Sequence, residues 1–256
     1  MNESRKLYKL AETAAVLRAE NGCPWDREQT HETLKKYLIE ETYEVIDAID
    51  SKDDEKIKEE LGDLLYQVYA HSEIAREQKR FDIDDVADGI NVKLIRRHPH
   101  VFSVKDEITS DEVLTRWEKI KKTEKKKGES AIDGVPKSLP ALLKAYRTQE
   151  KTSRIGFDWD NVEDVEEKLD EEIAEFKEAI KSDDKAKIKD EFGDILFTLV
   201  NISRFLDIDP EEALLHSTEK FSKRFRLVEK EAAEIGKKIS DMTLAEMNSL
   251  WEKAKL

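Results

Sequence analysis

The feature that most constrains this chain is a set of acids that occurs twice. Glu40, Glu41 and Glu44 are followed by Glu60 and Asp63, and 131 residues later Glu171, Glu172 and Glu175 are followed by Glu191 and Asp194 at the same spacings. A chain that keeps five acids in register over that interval repeats a structural unit, so its fold must build one arrangement twice. At helical periodicity, residues three and four apart share a face, which groups Glu41 with Glu44, Glu40 with Glu44, and Glu60 with Asp63. Each like-charged pair costs roughly 0.2–0.5 kcal/mol on an exposed helix. Repeating that cost in both halves invites a compensating cation.

The repeat extends past the acids. The apolar stretch Leu61, Leu64, Leu65, Tyr66, Val68 and Tyr69 has its counterpart in Ile195, Leu196, Phe197, Leu199 and Val200, and Asp82-Ile83-Asp84 returns as Asp207-Ile208-Asp209-Pro210. Lys93 and Arg97 align with Lys220 and Arg224 at an offset of 127, and Trp117 aligns with Trp251 at 134. Blocks in one order establish a duplication. With 41% charged residues, 7% aromatics, 8 Gly and 5 Pro, the composition suits long amphipathic helices better than turn-rich β structure. The expected fold is all-α, as two duplicated helical-bundle domains at residues 1–122 and 139–256, joined by a linker over 123–138 where a Lys-rich run gives way to Gly128, Gly134 and Pro136.

In the first half, helices are expected over about 3–20, from the Thr30 cap to Ala48, from Asp53 or Asp54, from the Asp82 cap to Arg96-Arg97, and over 111–122. In the second, they are expected near 139–153, from about 161, and from Asp183 or Asp184. Gly22-Cys23-Pro24-Trp25-Asp26 reads as a loop with breakers, and His98-Pro99-His100 as a turn. Gly62 and Gly193, inside the second acidic motif of each half, read as places of close helix approach. A net charge of -14 argues against a general nucleic-acid or anionic-membrane binder. The single cysteine, Cys23, excludes an intrachain disulfide framework and fits a structural role in a reducing compartment. No apolar run approaches the ~20 residues of a membrane span, and the N-terminal residues lead into no signal-peptide core, so the expected location is cytoplasmic.

Carboxylates are hard ligands, and Mg²⁺ takes a few of them while keeping positions for water and substrate phosphates. A di-iron bundle would use the same acids but also wants Glu-x-x-His. Its one instance, Glu28-Gln29-Thr30-His31, lies at a loop edge with no counterpart in the second half. A single Glu-Glu-x-x-Glu run is more often a solvated helix face, and an i, i+4 pair such as Lys93 with Arg97 is as readily solvated as functional. Recurrence in both halves favours function. Cations directed at phosphate oxygens would stabilise a leaving group. Trp117 and Trp251 are either core residues or stacking partners for a nucleobase. Neither a Gly-rich phosphate loop nor a nucleophile elbow is present.

These residues resemble a known family. Paired Glu-Glu-x-x-Glu and Glu-x-x-Asp motifs on successive helices are similar to those of the all-α nucleoside triphosphate pyrophosphohydrolases, and their tandem arrangement resembles the MazG family. Gly22-Cys23-Pro24-Trp25-Asp26, Arg96 to Phe102, Ser138 to Leu142 and Gly156-Phe157-Asp158-Trp159 add to the likeness. The resemblance implies hydrolysis of nucleoside triphosphates, ribo or deoxy and ATP among them, to monophosphate and pyrophosphate with Mg²⁺, in a helical homodimer that clears aberrant or excess nucleotides. It also implies roles in the second half. Glu172, Glu175, Glu191 and Asp194 hold metal, and Glu171 and Glu172 act in catalysis. Lys220 and Arg224 stabilise the leaving group, Lys168 reaches a phosphate, and Trp251 faces the base.

The first half keeps Glu41, Glu44, Glu60 and Asp63 for metal and Glu40, Lys93, Arg97 and Trp117 for substrate, but Tyr37 stands where the second has Lys168. The expectation is therefore that both halves bind metal and the second is catalytic. One rival reading makes the first half a nucleotide-sensing or dimer-building module without turnover. Another makes the whole chain a helical interaction protein.

Overall fold

The computed structural model describes the chain apart from residues 1–3, 104–107, 111, 114, 115, 118, 119, 121–123, 125–127, 129 and 256. Among the described residues every regular element is helical. The chain divides into two compact units, Met1–Lys125 and Lys126–Leu256. The first contains α1 (Ser4–Arg18), α2 (Pro24–Glu28), α3 (His31–Ser51), α4 (Asp54–Glu77), α5 (Ile83–Arg97) and α6 (Pro99–Phe102). The second contains α7 (Ala141–Ser153), α8 (Val162–Ser182), α9 (Lys185–Phe205), α10 (Pro210–Glu234), a 3-10 turn (Ile239–Asp241) and α11 (Leu244–Lys253). Of the helix expected over 111–122, Glu112, Val113, Arg116, Trp117 and Ile120 are helical, and the others lie outside the described residues.

Each unit is organised around one antiparallel hairpin, α3 with α4 and α8 with α9, with α1 laid on α4 and α7 on α9. Local chemistry sets the hairpin turns. α3 stops at Lys52 in the left-handed region (φ 56°), and Asp53 caps α4 by accepting the Glu55 and Lys56 N–H groups. α8 stops at Asp183 (φ 55°), and Asp184 caps α9 by accepting from Ala186 and Lys187. Lys79 and Asp207 form a second matched pair of left-handed residues, at φ 55° and 54°. A non-glycine residue gives up roughly 1–2 kcal/mol in that region. Matched strain at matched places means that the duplication preserves the turn geometry as well as the acids.

Three expectations are corrected. Pro24 and Pro99 initiate the short helices α2 and α6 where the sequence reads as a loop and a turn, because proline at the first helical position gives up a donor that has no partner there anyway. Gly62 and Gly193 are not sites of close approach: both are exposed, and a Cβ at either would meet nothing within 4 Å. The glycine that does serve a close approach is Gly22. A Cβ there would overlap the carbonyl oxygens of Val16 and Leu17, where the chain folds back on the end of α1.

Leu34, Ala70 and Ile74 form a buried cluster in the first unit, with Tyr37 and Tyr66 against it. In the second, Val228, Ala232, Met242 and Leu250 form another, joined by Trp251. The repeated apolar stretch is buried on one side alone. Leu61, Leu65 and Val68 on α4 are exposed, and so are Phe192, Leu196 and Leu199 at the matching positions of α9. These are i, i+4, i+7 stripes, and the hairpin partner covers only the opposite face of the helix.

One half-buried contact makes the first unit sensitive to acid. His31 Nδ1 and His71 Nδ1 lie 2.8 Å apart with the rings stacked, and Arg80 meets the far side of His31. Desolvation, and then the neighbouring His31, hold His71 below its ordinary 6.5. The unfolded chain therefore takes up the proton more readily than the fold, so this stabilisation is complete above pH 6.5 and is lost as pH falls through the depressed value. A melting-temperature series from pH 8 to pH 5 should fall on the acid side, and His71→Gln should flatten that fall.

Candidate metal and phosphate site

The hairpins bring acids from neighbouring helices together. In the first unit, ligand oxygens of Glu41 on α3 and of Glu60 and Asp63 on α4 lie within 4.8 Å of one another. In the second, the same holds for Glu172 and Glu175 on α8 and Glu191 on α9. Glu44, beside the first cluster, raises both Glu41 and Glu60 electrostatically, and Asp194 does the same to Glu191. Desolvation is the largest influence pushing Glu41 up, followed by Asp63 and Glu44, while the Gln67 side chain, which donates to Glu41 at 3.4 Å, pulls it back. Desolvation also leads for Glu60, followed by Glu44, and for Glu191, followed by Glu175. Carboxylates that disfavour one another's ionisation in this way suit a divalent cation, which offsets the repulsion with hard-ligand bonds.

The two clusters differ in their cations. Lys168 Nζ lies 2.7 Å from Glu172 and 2.8 Å from Glu171, and these two bonds, Glu171 first, raise its affinity for a proton. Glu172 is only 6% exposed, so its charge is held by a partner. Tyr37, at the matching place in the first unit, turns its ring edge-on to Trp25 at 5.6 Å and packs on the Leu34 cluster. A cavity of about 690 Å³ opens beside the second cluster, lined by Glu175, Lys177, Glu178, Lys181, Lys187 and Glu191. The residues 131 positions before those three lysines are Ile46, Asp50 and Lys56. The second unit therefore places three cations where the first has one.

These three lysines escaped the sequence reading. Lys187 has a legible signal, since it stands four residues before Glu191 on the same helix face and lowers Glu191's affinity for a proton. Lys177 and Lys181 carry none, because only the packing of α8 on α9 turns them toward the cavity. The remaining expected residues are placed as follows. Glu40 and Glu171 are exposed beside their clusters on α3 and α8. Lys93 is exposed on α5, a helix that packs on α4 and α6, and Arg97 is bound to Glu124, which also takes Arg96. Trp117 meets His98 edge-on at 5.3 Å. Lys220 and Arg224 lie on α10, whose main contacts are α7 and α11, and Trp251 packs against Phe221 at 5.0 Å. Among the described contacts none of these reaches an acidic cluster.

The sequence profile of the MazG nucleotide pyrophosphohydrolase domain matches residues 29–102 and 161–228, one copy on each hairpin. The chain belongs to the MazG family. It is 47% identical over its whole length to the nucleoside triphosphate pyrophosphohydrolase/pyrophosphatase MazG of Thermotoga maritima, covering 98% of that protein. It is 45% identical over 92% of its length to the nucleoside triphosphate pyrophosphohydrolase of Escherichia coli, covering 91% of that protein. A crystal structure of a mazG-related protein from Thermotoga maritima aligns over 46% of this chain and 98% of that chain, at 28% identity and a TM-score of 0.39. Each profile match spans one complete acid set, Glu40 to Asp63 and Glu171 to Asp194.

Proposed function

We propose that the protein hydrolyses nucleoside triphosphates, ribo or deoxy, to monophosphate and pyrophosphate, and that the second unit carries the turnover. The observation that carries this reading is the conjunction of a carboxylate cluster with a three-lysine cavity at one end of the α8–α9 hairpin. The names of the relatives, nucleoside triphosphate pyrophosphohydrolases, support the hydrolysis.

Glu172, Glu175, Glu191 and Asp194 would hold Mg²⁺, and the crowded, partly desolvated carboxylates fit a hard divalent ion. When bound, such an ion supplies Lewis acidity and lowers the pKa of a water. Glu172 is oriented by Lys168, which keeps its carboxylate facing the cluster. Glu171, the exposed neighbour, accepts the proton from the water that attacks the α-phosphorus. The P–O bond to the β-phosphate breaks, and Lys177, Lys181 and Lys187 take up the charge of the departing pyrophosphate, a role in which Lys220 and Arg224 of α10 would assist. Glu41, Glu44, Glu60 and Asp63 would bind a metal in the first unit, where Tyr37, Ile46 and Asp50 stand in place of Lys168, Lys177 and Lys181. A homodimer would cover the exposed stripes of α4 and α9. Clearance of excess or aberrant nucleotides places the work in the cytoplasm, where the nucleotide pool is.

Product analysis tests the reaction. With Mg²⁺ and a panel of nucleoside triphosphates, monophosphate and pyrophosphate are expected in equal amounts. Diphosphate with orthophosphate would overturn the attack at the α-phosphorus.

A further inference from the structure

At the end of α5 a single carboxylate holds two adjacent arginines. Arg97 donates to Glu124 from Nε, at 3.4 Å to Oε1, and from Nη2 to Oε2. Arg96 Nη2 lies 2.6 Å from Oε1. The Arg97 fork is thus bidentate, one nitrogen on each oxygen of Glu124. The side chains of Arg97 and Glu124 are 15% and 20% exposed, so their contact is largely withdrawn from water, whereas Arg96, at 56%, approaches from outside. The Arg97 hydrogen bond, with the charges of both arginines behind it, holds the Glu124 carboxyl below its ordinary range against desolvation. The charges do not balance. Two guanidinium groups face one carboxylate, and Lys93, four residues before Arg97, adds a third cation to that side of α5. A guanidinium fork fits a phosphate as well as it fits a carboxylate. A phosphate group also carries about −1.5 to −2 at pH 7, nearer to what two arginines offer.

The matching cations of the second unit are not closed in this way. Lys220, Lys223 and Arg224 stand 127 positions after Lys93, Arg96 and Arg97. Lys223 pairs with Glu219 of its own helix, and among the described residues no carboxylate holds Lys220 or Arg224. The two units therefore differ here less in having cations than in whether a carboxylate of the chain already occupies them.

We infer that Arg96 and Arg97 form a phosphate-binding site on the first unit and that Glu124 is its built-in competitor, a carboxylate latch that a phosphate group must displace. The inference goes beyond the proposed hydrolysis and needs no turnover in either unit. It supplies a reason, separate from Tyr37, Ile46 and Asp50, why phosphates go to the second unit: the arginines of the first are already satisfied.

Calorimetric titration of the full chain with inorganic pyrophosphate, in the absence of divalent metal, tests the latch. The lysine cavity of the second unit is untouched by the variants used. Glu124→Gln keeps the shape and an acceptor for Arg97 but removes the charge. It should bind one more pyrophosphate per chain, at least about 10-fold more tightly than the wild type does at that site, the scale of one charge-assisted hydrogen bond. Adding Arg96→Gln and Arg97→Gln should abolish the extra binding. Glu124→Asp, with the same charge on a shorter side chain, covers a failure of Glu124→Gln to fold and should open the same site more weakly. A nucleoside monophosphate titrated in parallel separates a nucleotide's phosphate from a free one, and binding of either at the opened site supports the inference. Binding in both Glu124 variants equal to that of the wild type would make Glu124 a structural staple only and overturn the latch. Extra binding that survives the loss of both arginines would overturn the site.

Discussion

Glu172→Gln is expected to lower kcat for nucleoside triphosphates by at least about 10²-fold, the scale on which loss of one preorganised charge contact acts, while Glu41→Gln leaves most of the turnover in place. The two residues stand at the same place in the repeat, so their difference isolates what surrounds them. Glu172 is buried, tied to Lys168 and close to the cavity holding Lys177, Lys181 and Lys187. Glu41 is tied to a neutral Gln67, and at the position of Lys168 its unit has Tyr37. The fold should survive both changes. Glu172→Gln leaves Lys168 its bond to Glu171 at 2.8 Å, and each substitution relieves repulsion among carboxylates. Steady-state kinetics with saturating Mg²⁺, beside circular dichroism to confirm helicity, decides the matter. Equal losses in the two variants would show that both halves turn over substrate.

Leu196→Glu should dissociate the proposed homodimer. Leu196 is the middle of the exposed stripe Phe192, Leu196, Leu199, and Leu65 is the middle of its counterpart on α4. Large aliphatic and aromatic side chains recurring at one helical face are the pattern of a packing seam. A carboxylate introduced at the centre of such a seam is removed from water without a partner, at a cost of several kcal/mol. Since each 1.4 kcal/mol is tenfold in affinity, association should weaken by about 100-fold or more. Sedimentation equilibrium should shift from twice the 29.7 kDa chain mass toward that mass. A wild-type protein that sediments as a monomer at every concentration, or a variant that assembles as before, would remove the dimer from the proposal.

Much of the architecture was legible because its causes are local. The caps at Thr30, Asp82 and Asp184 are side chains that satisfy N–H groups two or three residues away, so their positions announce where helices begin. The grouping of Glu41 with Glu44 and of Glu172 with Glu175 follows from 3.6 residues per turn. The readings that failed were those needing knowledge of what lies across from a residue. Gly62 and Gly193 look like contact glycines and face open space. The stretch from Leu61 to Tyr69 is strongly apolar, yet Leu61, Leu65 and Val68 face outward, because apolar content does not say how many neighbours a helix has.

The sequence by itself determined the helical class, the duplication and the acids from which each site is built, since periodicity and capping act within a few residues. Tertiary structure decided how near Glu191 comes to Glu172 and Glu175, with ligand oxygens within 4.8 Å of one another, and it alone decided that Lys177, Lys181 and Lys187 share one cavity beside them. It alone brought Arg96 and Arg97 onto the carboxylate of Glu124. Each of these pairings joins residues from different helices, and the register and rotation with which helices pack depend on the sum of many side-chain contacts, which no local pattern records.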